Sequence, residues 1–280
     1  MECITKKLIW PHRSVEWCDL NEETPVLVPC GKCPSCLTNK RSEWIFRLQQ
    51  EWKHSTSAKF ITLTYDEKHN PGELRKEDFQ KFMKRLRKHE KAKNLRYYAC
   101  GEYGTKYGRP HYHALIFNTT LQDHRPIIRA WMDSKGNPIG IVHVGKVSLA
   151  SIAYVTKYVV QPGTMEGRSK PFALMSRKYG IGGKYLTDEM TAWHREDLRN
   201  YSISGGQKVR LPRFYKDKIF YGNYKLLNDQ KTKAYVIEQA RKEQEYWQTE
   251  FGPQWAEQKK LAVLQQQSLV KSKVEFSQTF

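Results

Sequence analysis

The sequence predicts an α+β chain, and three observations carry that expectation. Residues 59–65 (KFITLTY) form a run of β-branched and aromatic residues of strand length. Residues 95–102 and 111–117 read as the two arms of a hairpin around a Gly-rich connection that ends in Pro. Residues 74–90 set Phe79, Phe82, Met83 and Leu86 at helical spacing, with Lys81, Lys84, Arg85, Arg87 and Lys88 on the basic side.

The other elements follow in order. Residues 1–29 are irregular in pattern. They contain Cys3, Cys18 and three prolines, and they lead into Cys30-Gly31-Lys32-Cys33-Pro34-Ser35-Cys36. Residues 37–54 turn helical, with Trp44, Leu48 and Trp52 spaced by four. A short helix is expected at 126–133 and a strand at 139–144, whose His143 reads as structural. Residues 148–160 (SLASIAYVTKYVV) make a helix with Ser148 as N-cap, ended by Gln161-Pro162-Gly163. Residues 164–187 are rich in Gly and Lys and read as a loop able to approach a phosphate chain. Residues 187–199 are helical, with Thr187 as N-cap. Residues 201–220 read as a hairpin turning at Gly205-Gly206, with a basic strand running out through LPRFYKDKIF. From Asn223 the chain is Gln-, Lys- and Glu-rich and helical in pattern. The expected division is a Cys-cluster segment with its helix at 1–54, a central domain at 55–220, and a helical arm at 221–280.

At 280 residues the chain can bury a sizeable core without disulfides. Lys and Arg number 48 against 29 Asp and Glu, a net charge of +19, so a polyanionic partner is expected. Nucleic acid comes before membrane, because no apolar run is long enough to span a bilayer. The 16 Tyr, 11 Phe and 8 Trp offer surface for base stacking as well as core. Residues 1–20 carry charges and Trp throughout rather than the apolar core of a secretory signal. A reduced, intracellular setting is therefore expected for the cysteines.

Two stretches carry chemistry. His111 and His113, two apart on a strand, point to one face, and Glu102 on the other arm lies near them. Two imidazoles and a carboxylate suit a divalent cation with room left for a substrate oxygen. On the helix at 148–160, Tyr154, Lys157 and Tyr158 are neighbours at i, i+3 and i+4. Together with the polycationic composition, these point to attack by Tyr154 or Tyr158 on a DNA phosphodiester. Lys157 serves either to favour the phenolate or to bind the phosphate, and the sequence leaves both roles open. Two tyrosines one turn apart allow successive transfers. No GxxxxGK[ST] loop is present, and rejoining through a covalent link needs no ATP. Lys40, Arg41, Arg109, Arg177 and Lys178 are the candidate DNA-contacting cations. Cys30, Cys33 and Cys36 suit a structural Zn²⁺ site, with Cys3 or Cys18 as the fourth ligand. A redox pair or free thiols are the alternatives.

PCGKCPSC with the helix after it, FITLTYDE, GEYG…GRPHYHALIF and YVTKYV together resemble the HUH endonucleases. The resemblance is strongest to the gokushovirus-type replication initiators of the microviruses, and LPRFYKDKIF fits that group too. It covers residues 30–220. Tyr112 stands where the family has a hydrophobic residue, a minor departure. The resemblance implies a central antiparallel sheet with helices packed against it, with FITLTYDE as a central strand. It implies Mg²⁺ or Mn²⁺ at His111, His113 and Glu102, and nucleophiles at Tyr154 and Tyr158 with Lys157 beside them. It also implies nicking of a single-stranded replication origin in the host bacterial cytoplasm, with host helicase and polymerase as later partners. A relaxase or transposase of the same superfamily is the nearest alternative. A non-catalytic zinc-containing nucleic-acid-binding protein is the alternative from another class. The two classes differ in whether the Tyr154 face of its helix opens toward the histidines.

Overall fold

The computed structural model describes residues 3, 6–9, 26–91, 93–104, 106–157 and 167–276. They fall into two compact units, Arg41–Ile219 and the pair of segments Met1–Lys40 and Phe220–Phe280.

In the first unit the β-branched run at Ala58–Tyr65 (β3) becomes an interior strand. Arg96–Tyr103 (β4) and Pro110–Phe117 (β5) form the expected hairpin. Gly140–Lys146 (β6) and Phe172–Met175 (β7) complete a five-stranded antiparallel sheet in the order β6-β3-β5-β4-β7. Strand alternation divides its side chains between two cores. On one face Ile61, Leu63, Ala99, Tyr112, Ala114 and Ile116 meet Phe79, Phe82, Met83 and Leu86 of the helix Lys76–His89 (α2). That helix carries Glu77 and Asp78 in its first turn and Arg87, Lys88 and His89 in its last, the charge order its dipole favours. The short helix Arg125–Arg129 (α3) and Trp131 close the same layer.

On the other face Tyr98, Cys100, Leu115 and Phe117 pack with Leu48 of the helix Pro34–Lys53 (α1) and with Ile152 and Val155 of Leu149–Val155 (α4). Ser148 caps α4 in a reciprocal capping box with Ser151. The helix closes at Thr156, earlier than the expected 160, and residues 158–160 lie outside those described. Asp188–Glu196 (α5) starts at its Thr187 cap as expected. Tyr201–Ser204 (β8) and Gln207–Arg210 (β9) form the hairpin at Gly205-Gly206.

Two expectations are corrected. Residues 164–187 are not loop throughout, because Phe172–Met175 pairs with the edge of β4, from Tyr98↔Met175 to Gly101↔Phe172. Gly101 permits this, since a Cβ there would lie 3.0 Å from the Phe172 ring. LPRFYKDKIF does not continue as a strand. Its residues Arg213–Ile219 form a helix (α6). Tyr215 and Ile219, at i and i+4, are both buried, and Tyr215 packs edge-on against Phe46.

The second unit contains a short antiparallel pair, Lys7–Ile9 (β1) with Val26–Val28 (β2). It also contains the helical arm, Asn223–Phe251 (α7) and Trp255–Phe276 (α8), joined by a turn at Gly252-Pro253-Gln254. Lys259 Nζ reaches Glu243 Oε1 at 3.0 Å between the two helices.

Candidate metal and nucleophile site

The hairpin register sets Glu102 directly opposite His111 and Cys100 opposite His113, while β3 sets Thr62 opposite His113. Odd residues of β5 and even residues of β4 share the face covered by α1 and α4. Glu102, His111 and His113 therefore converge there. His111 Nε2 lies 2.9 Å and His113 Nε2 2.8 Å from the same oxygen, Glu102 Oε1. From α4, Tyr154 donates its hydroxyl to that oxygen at 2.7 Å. Its ring stands edge-on to His113, centroids 4.8 Å apart. Tyr154 is 40% exposed, so its hydroxyl end is open to a substrate while the ring is held.

The donor set suits a cation. His111 Nδ1–H donates to the Arg109 carbonyl at 3.0 Å, which leaves Nε2 to face the carboxylate. His113 Nδ1 is bonded to Thr62 Oγ1 at 3.0 Å, and its ring stacks flat against Phe60. His113 Nε2 is buried and has no aligned hydrogen bond, although a carboxylate oxygen is within reach. An orphaned imidazole nitrogen aimed at an anion lacks a positive centre between them. Glu102, His111 and His113 offer ligand atoms close enough together to share one ion.

The electrostatics agree. Burial pushes the Glu102 carboxyl up, but hydrogen bonds from His111, His113 and Tyr154 outweigh it and bring the pKa down to about 2. Burial pulls His111 down, and its contact with Glu102 more than reverses that, so its pKa is raised and a proton takes the place a metal would fill. For His113 burial wins and the pKa falls. The Tyr154 phenol is pushed well above its ordinary value, by burial first and then by the Glu102 carboxylate that accepts its hydrogen bond.

The other candidate residues are distributed as follows. Lys157 lies just beyond the end of α4, and Tyr158 is outside the described residues. Arg41 is half-buried and donates from Nη2 to the Ala153 carbonyl at 2.9 Å, next to Tyr154. Arg109 pairs with Glu67 and reaches the Tyr65 carbonyl. Lys40, Arg177 and Lys178 are exposed, and the Lys178 carbonyl accepts from Arg96. His143 is exposed on β6. Cys3, not Cys18, joins Cys30, Cys33 and Cys36 in a second cluster able to hold a metal; Cys18 lies outside the described residues. Sequence reasoning missed Thr62 and Phe60 as supports of His113. Their even numbering on β3 was the available signal, but it needs the β3–β5 register to be read.

Residues 58–162 match the family of the replication-associated protein ORF2. The chain is 29% identical over 215 residues to Replication-associated protein VP4 of Bdellovibrio phage phiMH2K, covering 68% of this chain and 66% of that protein. It is 29% identical over 213 residues to Replication-associated protein ORF2 of Spiroplasma virus 4, covering 67% and 66%. It is 24% identical over 212 residues to Replication-associated protein ORF4 of Chlamydia phage 1, covering 68% and 53%. The chain thus spans just under two thirds of the length of the first two relatives. The family match takes in Glu102, His111, His113 and Tyr154 as well as the strands that hold them, and the chain is a relative of the phage replication-associated proteins of the microvirus type.

Proposed function

We propose that this chain initiates rolling-circle replication by nicking single-stranded origin DNA with a tyrosine nucleophile and later rejoining the strand. The observation that carries the reading is the meeting of Tyr154 with Glu102, 2.7 Å from hydroxyl to carboxylate, beside two histidines on the same face.

Glu102, His111 and His113 are the residues to hold Mg²⁺ or Mn²⁺. A divalent cation there supplies polarisation of the scissile phosphate and offsets the charge that develops on its oxygens. The chain's own groups do the rest. In the resting site Glu102 Oε1 keeps the phenol protonated. Attack requires that hydrogen bond to open, after which the Tyr154 oxygen bonds to phosphorus. The bond from phosphorus to the 3′ oxygen breaks, the phenol gives up its proton and the departing 3′ oxygen takes one up. The product is a 5′-phosphotyrosyl link and a free 3′-hydroxyl. Lys157 is the residue to stabilise the phenolate or the phosphate, and Tyr158 to serve the second transfer. Arg41 ties α1 to the carbonyl beside the nucleophile and so orients that turn of α4. The replication setting makes host helicase and polymerase the later partners and the host cytoplasm the place of action.

The test is covalent trapping. Origin single-stranded DNA labelled 3′ of the nick is incubated with Mn²⁺ and run on a denaturing gel, with Tyr154→Phe, Tyr158→Phe, the double variant and His113→Ala alongside. A metal-dependent adduct absent from the double variant is expected. Tight origin binding with no adduct under any metal would replace this reading with a binding protein.

A further inference from the structure

We propose that Cys3, Cys30, Cys33 and Cys36 hold one zinc ion in a closed tetrathiolate site. The site is independent of the nicking reading and stands on its own geometry. The sulfurs of Cys3 and Cys33 are 3.7 Å apart and those of Cys30 and Cys36 are 4.0 Å apart, with the four ligand atoms all within 4.8 Å of one another. A tetrahedron built on Zn–S bonds of about 2.3 Å has S···S edges of about 3.8 Å. A disulfide needs sulfurs about 2.05 Å apart, and these four thiols are not joined in disulfides.

The surrounding backbone is arranged for anionic sulfur. Lys32 N and Cys33 N both donate to Cys30 Sγ, at 3.4 and 3.2 Å, and Cys30 N donates to Cys3 Sγ at 3.2 Å. Such bonds favour thiolate, the form that binds metal. Gly31, at a φ of +74°, provides the left-handed residue that turns the first CxxC back on itself. The cluster sits at the start of α1, a helix with no acidic residue in its first turn. Four thiolates around one Zn²⁺ carry net negative charge, and they supply it where the helix dipole favours it. Cys3 and Cys36 are buried, and every ligand is a thiolate from this chain, which leaves no position for substrate. The role that follows is structural: one ion joins the segment ahead of β1 to the turn between β2 and α1.

The full chain, purified without chelator from zinc-supplemented cells, is analysed for zinc and iron by plasma mass spectrometry. Metal release is then followed with a chromogenic chelator during thiol titration with a mercurial. About one zinc per chain is expected, freed only as the thiols react. Cys33→Ser and Cys36→Ser should lose it, and the His111→Ala/His113→Ala double variant should keep it. If the cysteine variants do not fold, Co²⁺ exchange into the unaltered chain decides, because a tetrathiolate site gives strong sulfur-to-cobalt charge transfer and tetrahedral d–d bands. Folded chain with these four thiols titratable and no metal, with two disulfides, or with iron in place of zinc would overturn the assignment.

Discussion

Replacing Tyr154 with Phe should have opposite effects on two properties of the same site. The substitution removes the hydroxyl that donates to Glu102 Oε1 at 2.7 Å and leaves the ring against His113 in place. Any cation held by Glu102 has to share that oxygen with the phenol or displace it. A hydrogen bond to a charged acceptor contributes about 1.5–3 kcal/mol to a folded protein. Tyr154 is 40% exposed, so water recovers part of that when the phenol is gone. Taking the lower end, about 1.4 kcal/mol, the variant should bind Mn²⁺ about tenfold more tightly. The metal-free protein should lose a similar amount of stability, since a buried carboxylate loses a donor. Free Mn²⁺ measured by electron paramagnetic resonance during titration gives the affinity. Peptide mapping of trapped adducts gives the chemistry, and adducts at position 154 should vanish. Equal or weaker Mn²⁺ binding in the variant would refute the reasoning, because the phenol would then not compete for the ligand oxygen.

Three further outcomes are expected. Thr62→Val keeps shape but removes the partner of His113 Nδ1, so Mn²⁺ affinity should fall about tenfold while Thr62→Ser largely retains it, as read by the same titration. Arg96→Met leaves the buried Glu51 carboxylate without its guanidinium and should cost about 3–5 kcal/mol in urea unfolding; a loss under about 1 kcal/mol would show that the pair is not coupled. Gly182→Ala should cost about 2 kcal/mol or more in urea unfolding, because the residue has a φ of +75° and a Cβ would press on the Tyr215 hydroxyl and lie 2.6 Å from the Arg47 carbonyl.

Local pattern alone determined much of this protein. Alternation along HYHALIF places His111 and His113 with Leu115 and Phe117 on one face and Tyr112, Ala114 and Ile116 on the other, because a strand has a side-chain period of two. The stripe Phe79, Phe82, Met83 and Leu86 defines α2 by its period near 3.6, and Ser148 and Thr187 mark helix starts because their hydroxyls accept from the first free N–H groups. Tertiary structure decided the rest. Phe172–Met175 becomes a strand because β4 offers an edge to pair with, which its own short, mixed composition does not announce. LPRFYKDKIF has strand-like residues, and its central part is helical because Tyr215 and Ile219 find buried partners one turn apart. Cys3 meets Cys30, Cys33 and Cys36 across a separation that no local spacing encodes. Tyr154 reaches Glu102 only because α4 packs on the histidine face of the sheet. Periodicity selects which residues share a face, whereas contact between elements distant in the chain depends on which surfaces the packed fold brings together.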